Sequence, residues 1–349
     1  MKIGFVIYGS LDTLSGGYLY DRKLVEYLRA QGDTVEVISL PWRHYASHLT
    51  DNFRFRLPKN LDILIQDELN HPSLIGANQG KHPYPVISLV HHLRCSELRP
   101  AWQNSFYRLV ERKYLQSVDG FIFNSQTTRS VVQGLVGNKK PFVVGYPAGN
   151  RLGTISKEEI TGRASQTPPL RILFIGAVIP RKGLHTLIDA LAQLPRGTAT
   201  LEVAGGLNSD IKYVNYIYKQ IRNYDLDNIV KFHGAFTDQT FVQLLRSSHI
   251  LALPSSYEGF GIAYLEAMAF GLPVIGTTAG AAGEIIKNDE TGIIIPPENA
   301  VLLAERIKLL ANSKRNLLQM SLAAQRRFLE YPTWEESLKQ VRYFLSQIL

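Results

Sequence analysis

The sequence predicts an α/β protein built on parallel sheets and divided into two domains. Short apolar segments of strand length alternate with amphipathic segments of helix length along most of the 349 residues. This alternation is typical of parallel sheets that are covered by helices on both faces. The length suffices for two cores of about 150 to 170 residues each. A stretch rich in Ser, Thr, Gly and Pro at residues 151–169 marks the division between them.

We therefore expect a Rossmann-like domain at residues 1–150, a linker at 151–169, a second Rossmann-like domain at 170–331 and a final segment at 332–349. Periodicity predicts the main strands and helices within these segments. In the first domain the predicted strands are residues 2–8, 34–40, 62–66, 86–90 and 120–123, with a helix at 18–30. In the second domain the predicted strands include residues 200–204, 230–236, 249–253 and 273–276.

The composition describes an ordinary folded protein, with 45% hydrophobic and 19% charged residues. The single cysteine, Cys95, excludes a disulfide within the chain and favours a reducing compartment, so we expect a cytoplasmic protein. The apolar run at residues 2–8 is interpreted as the first strand rather than as a signal peptide. Because no apolar run approaches about 18 residues, we expect no membrane span.

The net charge of +8 and the pI of about 9.4 favour a partner with negative charge. Residues 1–150 contribute 17 Lys and Arg against 12 Asp and Glu, which leaves +5 in the first domain. Basic and aromatic side chains accompany one another at residues 99–116, so this segment is either a helix on an anionic membrane or an amphipathic helix packed on a sheet. The sequence has no run of Lys and Arg with interleaved aromatic residues of the kind that binds nucleic acids, so we expect no nucleic-acid partner.

Residues 253–276 are the most informative part of the chain. They predict a β-loop-α-β unit in which Glu258 and Glu266 are eight positions apart. If the helix begins near Phe260, Glu258 lies beside the unpaired amides of its first turn, which attract anions. A suitable ligand has a phosphate between two groups of hydroxyls, as a sugar nucleotide does. The predicted phosphate-binding amides are those of Gly259, Phe260, Gly261 and Ile262.

Three further features lie at predicted strand ends or helix starts. Arg181 and Lys182 come just before a predicted helix that begins near residue 183, where two cations beside positive amides are favourable only with an anion bound. His91 follows the strand at 86–90, at the edge where open α/β sheets bind ligands. Gly16 and Gly17 lie just before the helix at 18–30, which indicates a turn or a close backbone approach.

The segment at 254–275, PSSYEGFGIAYLEAMAFGLPVI, resembles the E-x7-E signature of the family 4 retaining glycosyltransferases, which have the GT-B fold. The resemblance implies two Rossmann-like domains that face a central cleft, the first on the acceptor side and the second binding the nucleotide sugar. It implies that the segment at 332–349 is a helix that crosses back to the first domain. The implied reaction moves a hexose from a UDP- or GDP-sugar to a hydroxyl of a lipid or glycan, with retention at the anomeric carbon.

The resemblance also implies roles for single residues of the second domain. Arg181 and Lys182 match the R-K-G motif that holds the donor diphosphate. Glu258 is expected to bond the hydroxyls of the transferred sugar, and Glu266 those of the ribose. Together with the amides of residues 259–262, the two cations stabilise the departing diphosphate, so we expect no metal ion and no cofactor.

In the first domain, His91 matches the histidine of a V-H-D motif that lies close to the transferred sugar in the family. The aspartate of that motif is His92 here, and which of the two histidines faces the sugar stays open. Gly16 and Gly17 match a glycine pair that faces the donor. The adjacent histidines lack other ligands at metal spacing and predict no metal site.

Two alternative functions stay open for the same architecture. One is a nucleotide-sugar-binding protein without transferase activity, because a fold does not dictate chemistry. The other is a sugar-nucleotide epimerase. The basic first domain favours a membrane-bound acceptor and peripheral contact with the cytoplasmic face of an anionic membrane.

Overall fold

The computed structural model describes residues 1–53, 55–80 and 82–349 of the chain. It divides into two compact units, one made of Met1–Pro147 together with Pro332–Leu349 and the other of Ala148–Tyr331. Each unit contains one six-stranded sheet whose paired strands are all parallel. The predicted α/β class is therefore confirmed.

The sheet of the first unit has the strand order β2-β1-β3-β4-β5-β6. Its strands are β1 (Lys2–Tyr8), β2 (Thr34–Leu40), β3 (Ile63–Asp67), β4 (Val86–Val90), β5 (Gly120–Phe123) and β6 (Phe142–Val144). Its helices before the second unit are α1 (Gly16–Ala30), α2 (Tyr45–His48), α3 (His71–Asn78), α4 (Ala101–Ser117) and α5 (Gln126–Val136). Strands β3 and β4 are buried over their whole length, as expected for central parallel strands.

The beginning of α1 differs from the expectation. Gly16 and Gly17 are the first two residues of the helix rather than a turn before it. Ser15 caps the helix, since its side-chain oxygen accepts a hydrogen bond from the backbone N–H of Tyr18 at 3.3 Å. Strand β6 was not predicted, because three half-buried residues at a sheet edge leave little pattern.

The sheet of the second unit has the order β12-β11-β10-β7-β8-β9. Its strands are β7 (Leu170–Ile175), β8 (Ala199–Ala204), β9 (Val230–Gly234), β10 (Ile250–Ala252), β11 (Val274–Thr277) and β12 (Gly292–Ile295). Its helices are α6 (Lys157–Ala164), α7 (Leu184–Ala192), α8 (Ile211–Asn223), α9 (Asp238–Ser247), α10 (Ile262–Ala269), α11 (Ala282–Ile285), α12 (Ala300–Asn312) and α13 (Lys314–Leu329). Most predicted strands end within one or two residues of these bounds.

The segment at 151–169, expected as a linker, contains helix α6. A capping box between Ser156 and Glu159 starts the helix. Ile160 is fully buried, and the buried guanidinium of Arg163 donates to the backbone oxygen of Phe270 at 2.7 Å. This polar segment is thus packed into the second unit.

The last helix, α14 (Trp334–Ile348), belongs to the first unit. Thr333 and Glu336 form a capping box at its start. Leu338, Val341 and Leu345 are buried, and they form the apolar face of the helix. The predicted return of the final segment to the first domain is therefore confirmed.

Helix α4, within the predicted basic and aromatic segment, has two apolar faces. Val110 and Tyr114 lie on the buried face, which packs in the first unit. The opposite face exposes Trp102 at 72%, Phe106 at 46% and Leu109 at 55%. Among the helices of residues 1–53, 55–80 and 82–349, none is long and apolar enough to cross a membrane.

Candidate functional site

Helix α10 begins two residues later than expected, at Ile262. Gly261 precedes it with φ of 103°, a left-handed conformation that favours glycine. A Cβ atom on Gly261 would lie 2.4 Å from the ring of Tyr264. Of the four predicted phosphate-binding amides, only that of Ile262 therefore belongs to the helix. Gly259, Phe260 and Gly261 lie in the preceding loop.

Glu258 lies in the same loop, where the backbone of residues 279–281 holds it. Its N–H donates to the oxygen of Ala279 at 3.1 Å, and its oxygen accepts from the N–H of Ala281 at 2.9 Å. Gly280, with φ of 96°, is so close that a Cβ atom there would lie 2.0 Å from the Glu258 oxygen. The side chain of Glu258 accepts a hydrogen bond from Lys182 Nζ at 2.6 Å.

The turn that contains Arg181 is bound to the Glu258 loop. The N–H of Ser256 donates to the backbone oxygen of Arg181 at 2.8 Å, and Arg181 Nη1 donates to the backbone oxygen of Tyr257 at 3.0 Å. Gly183 ends the turn with φ of 73°, and a Cβ atom there would lie 2.0 Å from the oxygen of Pro254.

Strands β7 and β10, which lead into the two loops, are paired neighbours in the sheet. The structure thus brings three of the predicted residues, Arg181, Lys182 and Glu258, together at the carboxyl ends of adjacent strands. This edge is where open parallel sheets bind ligands.

Glu266 lies in the second turn of α10 and is 4% exposed. Its carboxylate accepts a hydrogen bond from Arg151 Nε at 2.5 Å, and Arg151 Nη1 lies 2.5 Å from Asp238. Burial raises the pKa of Glu266 to about 7, against the opposing effect of the Arg151 charge. The expected role of Glu266 toward ribose hydroxyls stays a prediction.

Arg151 was not predicted as a functional residue, because it lies in the segment interpreted as a linker. It is 115 positions from Glu266 in the chain, so no local spacing could connect the two. Gly149 offers the one sequence signal, since glycine permits a close backbone approach. A Cβ atom on Gly149 would lie 2.6 Å from the backbone of Leu265 in α10.

In the first unit, the structure brings His91 and Gly17 together. His91 follows β4, and a Cβ atom on Gly17 would lie 3.2 Å from His91 Cδ2. His91 Nε2 forms a hydrogen bond with Asp21 Oδ1 at 2.9 Å. Asp21 was not predicted, although it lies one helical turn after Gly17, a spacing that places both on one face of α1. Gly16 occupies the first position of the same helix.

The two adjacent histidines have different surroundings. Burial alone would lower the pKa of His91, but the carboxylates of Asp21, Asp67 and Glu68 raise it to about 9. His92 Nε2 instead lies 3.0 Å from Glu97 Oε1. His91 is thus the histidine that belongs to the buried polar cluster beside α1.

Two groups of side chains in the described residues hold candidate metal-ligating atoms within 4.8 Å of one another: Asp21, Asp67 and His91, and Glu68, His71 and Glu111. In each group, one histidine nitrogen that could bind a metal ion already takes part in a hydrogen bond. His91 Nε2 contacts Asp21, and His71 Nδ1 lies 3.0 Å from the backbone oxygen of Glu68. We therefore assign neither group as a metal centre, and metal independence stays a prediction.

Residues 156–327 match the family model described as glycosyl transferases group 1. This range covers most of the second unit and includes the Arg181 turn, the Glu258 loop and helix α10. The match supports a glycosyltransferase of this group for the second unit, and membership of family 4 stays a prediction.

Curated relatives carry related names. The chain is 33% identical over 169 residues to the glycogen synthase of Mycobacterium tuberculosis, a match that covers 47% of this chain and 38% of that protein. It is 26% identical over 277 residues to the D-rhamnosyltransferase WbpZ of Pseudomonas aeruginosa, covering 70% and 67% of the two chains. The chain spans only about two fifths of the first curated relatives that it matches, 38% in each case.

Solved structures resemble the whole chain. Sucrose-phosphate synthase from Thermosynechococcus elongatus superposes with a TM-score of 0.83 at 19% identity, over 99% of this chain and 98% of that one. HepE of Anabaena, solved in complex with UDP and glucose, superposes with a TM-score of 0.78 at 21% identity, over 99% of both chains. These likenesses and the two parallel six-stranded sheets show the GT-B fold.

Proposed function

We propose that this chain is a retaining glycosyltransferase that moves a hexose from a UDP- or GDP-sugar to a hydroxyl group without a metal ion. The proposal rests on the contact between the turn that contains Arg181 and Lys182 and the loop that contains Glu258. Their backbones are hydrogen-bonded, and Lys182 Nζ is 2.6 Å from Glu258. One place therefore offers two cations for a diphosphate and a carboxylate for sugar hydroxyls.

The fold comparison supports a nucleotide-sugar donor. HepE, which shares the fold, is solved with UDP and with UDP-glucose. For this chain, the resemblance of the segment from Pro254 to Ile275 to the family 4 motif supports the same class of donor. Neither feature selects the sugar or the base.

In the proposed reaction, the bond between the anomeric carbon and the diphosphate breaks first. Arg181 and Lys182 stabilise the negative charge that grows on the leaving group. Lys182 must then share its charge between Glu258 and the diphosphate, so donor binding loosens the ion pair. Glu258 orients the sugar for attack from the same face, which retains the anomeric configuration.

Ligand-induced stabilisation of the intact chain tests the donor class. Thermal unfolding with a panel of UDP- and GDP-sugars should identify a donor, because a ligand at 100 times its Kd adds about 2.7 kcal/mol of stability. Transfer and donor hydrolysis are then measured with and without EDTA, and the anomeric configuration of the product by NMR. We expect EDTA to leave the rate unchanged and the product to keep the donor configuration.

Other results would identify the two alternatives. Binding without hydrolysis or transfer would favour a nucleotide-sugar-binding protein. A changed sugar that stays attached to its nucleotide would favour an epimerase. If no nucleotide diphosphate binds at millimolar concentration, the proposed function is wrong.

We also propose that the acceptor is presented at the cytoplasmic face of an anionic membrane and that α4 contacts this membrane. The exposed stripe of Trp102, Phe106 and Leu109 supports this contact, since aromatic side chains insert at the bilayer interface. Arg112 and Lys113 are exposed on the same helix and would attract anionic lipid headgroups.

Vesicle flotation tests the membrane contact. The wild-type protein should float with vesicles that contain phosphatidylglycerol and stay at the bottom with pure phosphatidylcholine. The double variant Trp102→Ser, Phe106→Ser should lose flotation because it lacks the inserted aromatic rings. Tyr343→Ser, which removes an aromatic ring that is 66% exposed on α14, is the matched control. Equal flotation of all three proteins would contradict the proposal.

A further inference from the structure

We propose that Asp21 is a positioning residue that holds His91 as a cationic hydrogen-bond donor, so that His91 donates to a substrate oxygen and does not accept the proton of the attacking hydroxyl. The inference deepens the proposed function and rests on it for the identity of the substrate. The pairing of Asp21 with His91 can be tested without any substrate.

The geometry of Asp21 requires a cation beside it. Its carboxylate is fully buried, and Oδ1 is 2.9 Å from His91 Nε2. The other oxygen, Oδ2, is also buried and has no hydrogen-bond partner among the described residues. A buried carboxylate with one unpaired oxygen is costly unless an opposite charge lies against it. The protonated imidazole of His91 is the group in position to supply that charge.

The His91 ring is held on several sides. Gly17 lies against its Cδ2 edge, and the Tyr20 ring meets it edge-on, with centroids 5.5 Å apart. The backbone oxygen of His91 accepts a hydrogen bond from Asn124 Nδ2 at 2.8 Å. With Nε2 turned to Asp21, Nδ1 is the nitrogen left for a ligand, and 14% of the side chain stays exposed. Within the described residues, no hydrogen bond engages Nδ1.

The carboxyl groups around the His91 ring all favour its protonated form. Asp21 faces His91 from α1, and Asp67 and Glu68 face it from the end of β3 and the turn that follows. Burial opposes the protonation of His91, but these carboxylates outweigh it and raise the pKa to about 9. Burial also raises the pKa of Asp67 well above its usual range and that of Glu68 to about 8. Among the three carboxylates Asp21 has the largest effect on the pKa of His91, and its Oδ1 is the oxygen in contact with the ring.

The chemical consequence concerns the proton of the acceptor. An imidazolium carries N–H at both nitrogens, so Nδ1 can donate to an oxygen but cannot act as a general base. In the proposed same-face reaction, the bond from the anomeric carbon to the diphosphate oxygen breaks and the bond to the acceptor oxygen forms. The hydroxyl proton then passes to the departing diphosphate oxygen, and His91 keeps its proton throughout.

NMR titration of the full-length protein with isotope-labelled histidine tests the pairing. The His91 resonance is assigned by its loss in His91→Gln. We expect wild-type His91 to stay protonated above pH 8 and Asp21→Asn to lower its titration midpoint by more than about one pH unit. Asp12→Asn, which alters an aspartate that is 92% exposed in the loop before α1, should leave the midpoint unchanged.

A wild-type midpoint at or below the ordinary value of about 6.5 would overturn the proposal. An unchanged midpoint in Asp21→Asn would overturn it as well. The wild-type titration tests the proposal even if Asp21→Asn does not fold. Assignment of the His91 resonance requires only the His91→Gln variant.

The role in transfer is tested by the pH profile of kcat/KM. Wild-type activity should decline only as His91 loses its proton, and Asp21→Asn should move this alkaline decline to lower pH. A uniform loss of activity with no shift of the decline would indicate a merely structural role and would overturn the positioning role. If the NMR result holds and no donor is ever turned over, the proposed function fails while the Asp21–His91 pair stands.

Discussion

Each of the two acids of the 258–266 pair has a cationic partner from a distant part of the second unit. Lys182 is 2.6 Å from Glu258, and Arg151 is 2.5 Å from Glu266. The pairs differ in burial, since Glu258 keeps 13% of its side chain exposed and Glu266 only 5%. The more accessible acid is the one that we assign to the transferred sugar.

Substitution of Glu258 should affect turnover more than donor binding. In Glu258→Ala we expect kcat to fall by about 100-fold or more, because a positioned charge beside the reacting sugar is lost. Steady-state kinetics with the donor identified by thermal unfolding would measure this. Glu258→Gln keeps the shape and removes the charge, so it separates the two contributions. Full turnover in Glu258→Ala would contradict the assigned role.

The buried carboxyl of Glu266 predicts a pH-dependent stability. Its pKa in the folded protein is about 7, above the ordinary 4.5, so between these values the folded state binds more protons than the unfolded state. The free energy of unfolding therefore receives a contribution that falls as the pH rises from 4.5 to about 7. Glu266→Gln should remove this contribution.

Urea unfolding at about pH 5 and about pH 7.5 measures the difference in unfolding free energy between Glu266→Gln and the wild type. Glu305→Gln changes an exposed carboxylate of the same unit and serves as the control. If Glu266→Gln has the same pH dependence as the wild type, the carboxyl is ionised throughout and the assigned pKa is wrong.

At the scale of elements, glycines allow the loop that contains Glu258 to meet its two neighbouring loops. Gly183 brings the Arg181 turn against Pro254, and Gly280 brings the loop after β11 against Glu258. In both places a Cβ atom would lie 2.0 Å from a backbone oxygen, a contact that only displacement of the backbone could relieve. Both glycines also have positive φ, which adds strain for any other residue.

Gly183→Ala should therefore displace the Arg181 turn and weaken donor binding. Gly197→Ala is a closely matched control, because Gly197 has a similar φ of 79° but no atom within 4 Å of its Cβ position. Both variants should lose about 1–2 kcal/mol of stability from backbone strain. The additional loss in Gly183→Ala, and its lower affinity for the donor, would be measured by denaturant unfolding and calorimetry. Equal effects of the two substitutions would show that the contact with Pro254 does not matter.

At the scale of the whole molecule, Asp33 joins the first strand of the first unit to its last helix. Asp33 accepts from the N-terminal ammonium of Met1 at 2.8 Å and from Arg342 Nε at 2.7 Å. Burial would raise the pKa of Asp33, but these cations lower it below its usual value. Its contribution to stability is present above the ordinary pKa and is lost as the pH falls through the lowered one. Helix α14 thus belongs to the first unit, although the residues of the second unit precede it in the chain.

Loss of packing on α14 should destabilise the first unit alone. Leu345 is fully buried, and Leu345→Ala should lower the unfolding free energy of that unit by about 2–5 kcal/mol. Tyr343→Ala alters an exposed residue of the same helix and should cost far less. Hydrogen exchange measured by mass spectrometry can report the two units separately. Faster exchange in Ala148–Tyr331 in Leu345→Ala would contradict the division.

Local sequence patterns were sufficient for the fold class and for three residues that the structure brings together, Arg181, Lys182 and Glu258. The alternation of apolar strands with amphipathic helices is a short-range property, so it predicted two parallel sheets. Arg181, Lys182 and Glu258 were recognised because each lies beside a predicted helix start, where unpaired amides attract anions, and because their segments resemble motifs of the family 4 glycosyltransferases. The predicted starts of two helices that begin beside glycines, at Gly16 and Gly261, each differ from the observed start by two residues. Glycine is compatible with both helix and loop, so its local pattern does not locate the cap.

The partners of the key side chains were decided only by the tertiary structure. Asp21 and His91 are 70 positions apart, and Arg151 and Glu266 are 115 positions apart. Such pairs depend on which strands become neighbours and on how closely the backbones approach, and no spacing in the sequence encodes either. The sequence by itself determined most of the strands and helices and the fold class, because these depend on short-range patterns. The packing decided which charges lie together and which of them are buried, because burial and distance arise only once the sheets have formed.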